Sequence, residues 1–274
     1  MYFMSNENDA PTIVPIADPS VAIETIPAGP VRLDRPPLNA IDVWRFNLEN
    51  AEASDDRCLS VTECQRRDRF VRAEDRNRFV AARVHLRRLL GAYLAADPAS
   101  VPLVIGASGK PGLGDATPHP GLNFNLAHSA TELVIACSGG AEVGVDIERV
   151  DRACDHLGIA RHSFHPNEAR ALEQRGPAAR ADLFFRWWTA KEAVLKAWGT
   201  GLGQGGMSAV DLSAWADGAT VEVREAAGRS WSVWHYAIGG CAVALAAEGS
   251  LVAIRLRSII SPGGWSGEAI TRSS

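Results

Sequence analysis

Two short segments carry the strongest chemical signal. In "VGVDIERV" (143–150), Val143, Val145 and Ile147 alternate with Gly144, Asp146 and Glu148. Residues i and i+2 of a β-strand share a face, so the two carboxylates stand side by side and repel each other. A positive partner is required: a basic side chain, solvent, or a divalent cation. In "WWTAKEAVLKAWG" (187–199), Trp188, Glu192 and Lys196 recur every four residues and line one helical face. One reading is a surface Glu–Lys pair. The neighbouring tryptophans, alanines, valine and leucine argue instead for a mostly buried helix, in which a glutamate and two lysines need partners. Taken together, Asp146, Glu148 and Glu192 offer oxygen ligands without nitrogen or sulfur, the donor set of Mg²⁺, or of Mn²⁺ as a substitute. Mg²⁺ keeps several waters and is commonly completed by substrate phosphates. The set therefore implies a phosphate-bearing ligand, with Lys196 one turn beyond Glu192 to neutralise an oxygen. The competing reading is a solvated strand face bridged by Arg149 or Arg152.

Two further pieces lie upstream. Lys110 sits in the glycine-rich "GKP" (109–111), where backbone can approach an anion closely. His128 lies in "NFNLAHS" (123–129), followed by Ser129, although a lone histidine is more often structural or solvated. Residues 66–88 hold nine arginines against Asp68, Glu74 and Asp75. Most of that run reads as a solvated helix face, with enough excess charge to meet a multiply charged ligand. Its aromatics do not interleave with the arginines and no nucleic-acid motif is present, so nucleic acid is not the expected partner.

The elements that must position these groups follow from periodicity. "AIDVWRFNL" (40–48) alternates as a strand, and residues 60–96 read as helix, ended by Asp97-Pro98. Residues 106–122 form a Gly/Pro loop. From 123 to 150 the pattern is strand, turn, strand, turn, strand, with "SGG" as a hairpin turn before the acidic strand. Helices are expected over 166–174, opened by Pro166, and over 178–198, capped by Gly199. Three more strands follow before residue 250. Each half supplies a long helix and antiparallel strands, which suggests two similar α+β lobes. The division read from the sequence is a loose arm (1–37), an N-terminal lobe (38–135), a C-terminal lobe (136–250) and a tail (251–274).

The chain of 274 residues can bury one large core or two modest ones. A net charge of −4 does not point to nucleic acid, and no apolar run is long enough for a membrane span. The first twenty residues lack the basic and apolar regions of a secretory signal. Five cysteines without a C-x-x-C read as reduced thiols of a cytoplasmic protein.

The ordered set "GKP", "NFNLAHS", "GVDIE" and "WWTAKEAVLKAWGTGL" resembles the Sfp-type 4′-phosphopantetheinyl transferases, across roughly residues 60–250. The family patterns G-[IV]-D-[IVL]-E and W-[ST]-x-K-E-A-x-x-K are matched by Gly144–Glu148 and Trp188–Lys196. The resemblance implies transfer of the phosphopantetheine arm of coenzyme A to a serine of an acyl or peptidyl carrier protein, with Mg²⁺, releasing adenosine 3′,5′-bisphosphate. It also implies a monomer of two α+β lobes related by a pseudo-twofold, with the active site in the cleft between them. Asp146, Glu148 and Glu192 would hold the metal, and Lys196 would lie by the pyrophosphate. Lys110, Pro111 and His128 would hold the 3′-phosphate end, joined by Arg66, Arg78 and Arg83. Glu192 is also a candidate base for the carrier serine, with a metal-bound water as the alternative. Lys191 is a retained lysine of open role, and Glu168 a supporting carboxylate. Where many relatives read "SHS", this chain has Ala127, which removes a hydroxyl expected near the 3′-phosphate. Two other functions stay open on the same residues: a Mg²⁺-dependent phosphohydrolase acting on a nucleotide pyrophosphate, and a coenzyme A-binding protein without catalysis.

Overall fold

The computed structural model describes residues 12–15, 20–27, 32–48, 56–115, 117, 121–199, 206–215, 218, 220–224, 228–250 and 253–260. In chain order the elements are β1 (Thr12–Pro15), β2 (Ser20–Pro27), β3 (Ala40–Asn47), α1 (Val61–Arg67), α2 (Ala73–Leu94), β4 (Leu103–Ile105), β5 (Pro111–Leu113), β6 (Asn123–Ser129), β7 (Glu132–Ser138) and β8 (Val143–Arg149). Then come α3 (His156–Ser163), α4 (Pro166–Glu173), α5 (Pro177–Trp198), β9 (Thr220–Arg224), β10 (Ser230–Ile238), β11 (Cys241–Glu248) and β12 (Ala253–Ile260).

The strands form two five-stranded sheets, ordered β2-β12-β3-β7-β6 and β1-β9-β10-β11-β8, beside the small β4-β5 hairpin. Alternation along each strand gives each sheet two apolar faces, and each face finds a partner. Helix α2 covers one face of the first sheet, packing Leu86, Leu89 and Leu90 on Trp44, Phe124 and Ile135. The inner faces of the two sheets meet through Ile41, Val43 and Val134 on one side and Val145, Ile147 and Val243 on the other. Helix α5 covers the outer face of the second sheet with Trp187, Ala193 and Val194. The result is a mixed α/β stack of helix, sheet, sheet and helix.

Several sequence expectations change here. Residues 60–96 divide into two helices. Ser60 and Glu63 form a reciprocal cap on α1, and after Asp68 the chain turns so that Phe70 meets the Phe79 ring at 5.2 Å. The "SGG" turn does not join a hairpin, because β7 is already paired on both edges by β3 and β6. Residues 139–142 instead carry the chain to the other sheet, where β8 pairs with β11. The change of sheet therefore falls after β7 and not at residue 135. The region read as a loose arm supplies β1 and β2, and part of the region read as a tail supplies β12, which lies between β2 and β3. A buried charge helps seat β12: Arg255 Nε donates to Asp42 Oδ1 at 2.5 Å, while Tyr93 donates to Asp42 Oδ2 at 2.5 Å. Residues 261–274, the rest of the expected tail, lie outside the described residues. Among the described residues no helix is long and apolar enough to cross a membrane.

Candidate active site

Strand β8 presents Gly144, Asp146 and Glu148 to the outer face of its sheet, and opposite them on β11 stand Ala246, Ala244 and Ala242. These small residues let α5 come close. A Cβ on Gly144 would lie 2.0 Å from the Ala193 carbonyl oxygen and 2.5 Å from the Ala197 nitrogen, so no side chain fits. This approach brings Glu192 and Lys196 beside the strand carboxylates. Lys196 Nζ donates to Asp146 Oδ1 at 2.6 Å. The positive partner that the two carboxylates require is therefore Lys196. Arg152 is occupied elsewhere, donating to Asp182 at 2.8 Å, and Arg149 is exposed.

The carboxylates form one electrostatic group. Burial pushes Asp146 above the usual carboxylate range, against the opposing pull of Lys196. Burial also raises Glu148, and Asp146 adds repulsion, while a hydrogen bond from Ser129 at 3.0 Å opposes the shift. Glu192 is raised by burial and by both neighbouring carboxylates, with Lys196 opposing. Asp146 Oδ2 is buried and has no hydrogen-bond partner. An orphaned buried carboxylate oxygen is costly unless something binds it. Among the described residues no group of three His, Cys, Asp or Glu side chains forms a ready-made metal cage. Mg²⁺ does not need one, since it takes one or two carboxylates and completes its shell with water and phosphate oxygens. The all-oxygen donor set and the orphaned Oδ2 fit such a cation.

The other expected site residues divide into groups. His128, at the end of β6, is held below its ordinary value by partial burial and by the nearby charges of Arg78 and Lys196, so Arg78 and His128 belong to the neighbourhood of Lys196. Lys110, just before Pro111 opens β5, bonds Glu142 Oε2 at 2.9 Å and the Ala197 carbonyl at 3.5 Å, beside the last turn of α5. Arg66 and Arg83 flank the Phe79 ring at 5.4 and 5.5 Å, with Arg83 also 3.9 Å from Glu63. Much of the basic run is thus structural: Glu63 also binds Arg87 at 2.7 Å, Asp75 binds Arg78, and Asp56 binds Arg67. Lys191 and Glu168 lie in a fully buried ion pair of 2.8 Å, apart from the carboxylate group. Ala127 is buried between the two sheets, so its position faces core.

Sequence reasoning did not single out Asn125, Ser129 or Glu142. The signal for the first two was a pair of polar residues four apart on one face of a strand, with a small residue between them. Glu142 gave no signal, because it meets Lys110 only through the fold.

Residues 142–246 match the 4′-phosphopantetheinyl transferase superfamily, and residues 46–140 match the N-terminal region of 4′-phosphopantetheinyl transferases. The 4′-phosphopantetheinyl transferase HetI of Nostoc sp. is 36% identical over 165 residues, covering 59% of this chain and 70% of HetI. The protein named putative 4′-phosphopantetheinyl transferase slr0495, of Synechocystis sp., is 38% identical over 56% of this chain and 61% of its own length. The 4′-phosphopantetheinyl transferase of Bacillus subtilis is 28% identical over 54% of this chain and 65% of its own. The chain belongs to the 4′-phosphopantetheinyl transferase superfamily.

Proposed function

We propose that this enzyme transfers the 4′-phosphopantetheine arm of coenzyme A to a serine hydroxyl of an apo acyl or peptidyl carrier protein, releasing adenosine 3′,5′-bisphosphate. One observation carries the reading. Lys196 pairs with Asp146 on the edge strand β8, Glu148 and Glu192 lie within electrostatic reach of that pair, and one Asp146 oxygen is left buried and unpartnered. Asp146, Glu148 and Glu192 would hold Mg²⁺, or Mn²⁺ in its place. When bound, that cation supplies charge neutralisation for a pyrophosphate and its leaving phosphate.

The chain's own residues do the rest. The serine oxygen attacks the β-phosphorus of coenzyme A, and the bond from that phosphorus to the bridging oxygen breaks. The serine proton must leave as the attack proceeds. Glu192, on α5 one turn before Lys196, would accept it at a carboxylate oxygen. Lys196 gives one of its three donors to Asp146, and its side chain is still 30% exposed, so donors remain for a phosphate oxygen. That contact gains in value as charge grows on the leaving phosphate. Lys110, Pro111, His128, Arg78, Arg66 and Arg83 serve the 3′-phosphate end. The two sheets with their helices make two similar lobes related by a pseudo-twofold, with the site in the cleft between them. The protein works as a monomer. Its five free cysteines suit the reducing cytoplasm.

The test is the intact mass of an apo carrier protein after incubation with the enzyme, coenzyme A and Mg²⁺. A gain of about 340 Da, abolished by EDTA, is expected. No gain on fatty-acid-type and peptidyl-type carriers would overturn the proposal, and coenzyme A breakdown in the same tubes would favour hydrolysis.

A further inference from the structure

β8 is the outermost strand of its sheet, so the amides along its free edge have no neighbouring strand. Edge amides take other acceptors where these come within reach, and a buried one such as that of Val145 requires one. Two of them find side chains on β6, the outermost strand of the other sheet. The Val145 N–H donates to Asn125 Oδ1 at 3.0 Å, and the Arg149 N–H donates to Ser129 Oγ at 3.0 Å. Both contacts share the same offset in sequence and bracket Asp146 and Glu148. Ala127, between the two acceptors, is small and buried in the inter-sheet core, which permits the strands to lie close. The two sheets are thus stitched by side chains along the stretch of β8 that carries the strand carboxylates.

Ser129 has a second contact. Its hydroxyl donates to Glu148 Oε2 at 3.0 Å while its oxygen accepts the Arg149 amide. The backbone amide fixes the hydroxyl oxygen, and the single hydroxyl proton is then aimed at Glu148. A half-buried glutamate otherwise loses considerable rotamer freedom when it is ordered. We propose that Ser129 is a positioning residue, which ties the Glu148 carboxylate to the β8 backbone and presents it already ordered to the divalent cation. This rests on the reading of Asp146, Glu148 and Glu192 as cation ligands.

The experiment is Mn²⁺ binding in the presence of coenzyme A and without carrier, followed by the electron paramagnetic resonance signal of free Mn²⁺. Circular dichroism and thermal midpoints establish that each variant is folded. Ser129→Ala is expected to weaken Mn²⁺ binding roughly 10-fold or more, and Ser129→Thr, which keeps the hydroxyl, to restore most of it. Wild-type binding by Ser129→Ala, with loss in Asp146→Asn, would leave the cation site standing and overturn the role of Ser129. A loss in Ser129→Ala that Ser129→Thr does not restore would assign the effect to packing and also overturn it. Wild-type binding by both Asp146→Asn and Glu148→Gln would overturn the cation site, and this proposal with it.

Discussion

Helix α5 carries two lysines, each ion-paired to an acidic side chain from another element, and the two pairs are opposite in character. Lys191 and Glu168 are fully buried and satisfied. Lys191 Nζ donates to Glu168 Oε1 at 2.8 Å, to the Met207 carbonyl at 2.8 Å and to the Val210 carbonyl, which uses all three of its protons. Glu168 accepts from the Leu212 amide at 2.7 Å and from the His165 amide at 2.8 Å, so it also caps α4. Lys196 and Asp146 lie as close, at 2.6 Å, but Lys196 is partly open and Asp146 keeps an orphaned oxygen. The first pair fastens α4, α5 and residues 207–212 together. The second is incomplete, and under the proposed function that incompleteness leaves it open to a ligand. Hydrogen-bond saturation, not the presence of an ion pair, separates scaffold from site.

Breaking the saturated pair should have the largest effect. Lys191→Met leaves Glu168 buried without its counter-charge and is expected to cost about 3–5 kcal/mol in urea unfolding. Adding Glu168→Leu removes the unpaired charge and should recover part of that loss, the remainder reflecting the Leu212 and His165 amides left without their acceptor. Wild-type stability in the single variant would mean that the buried pair is not structural.

At the unsaturated pair the loss should fall on chemistry. Asp146→Asn is expected to lower transfer to the carrier by roughly 10²–10³-fold while the thermal midpoint holds. Full Mg²⁺-dependent transfer by this variant, read by carrier mass, would remove Asp146 from the site.

Acid should act on a third place, apart from both pairs. His235 on β10 is buried with both ring nitrogens unpartnered, and burial lowers its pKa from 6.5 to about 3. Its folded value lies below its unfolded value. The neutral ring's contribution is therefore fully present above about pH 6.5 and is lost as pH falls towards 3, by up to about 1.4 kcal/mol per pH unit. His235→Leu should flatten the dependence of the urea midpoint between pH 7 and 5. An unchanged slope would place the acid sensitivity elsewhere.

The smallest effect has the opposite sign. Glu192 is raised above its ordinary value, so at neutral pH its ionisation costs the folded state something that protonation, or loss of the charge, would relieve. Glu192→Gln should therefore raise the metal-free thermal midpoint slightly while it lowers transfer. A lowered midpoint would show that Glu192 stabilises the scaffold, as Glu168 does.

Much of the candidate site was legible in the chain itself. The alternation in "VGVDIERV" gives Asp146 and Glu148 a common face, and the four-residue spacing of Glu192 and Lys196 gives them another. Helical phase also divides the two lysines. Five residues at about 100° each turn Lys191 and Lys196 roughly 140° apart, so they cannot share surroundings. Which of the two would be saturated was not legible, because their acceptors come from β8, α4 and residues 207–212.

Periodicity and chemistry are local properties, and they determined the helices around 166–174 and 178–198, the acidic strand and the oxygen-only donor set. Pairing is not local. A strand's pattern specifies which face is buried and leaves open which strand lies beside it. The tertiary structure therefore decided that β8 leaves β7 for β11, that β1, β2 and β12 complete the sheets, and that Ser129 reaches Glu148 across two sheet edges. It also decided that one oxygen of Asp146 is left without a partner, since whether an atom is satisfied depends on everything packed around it.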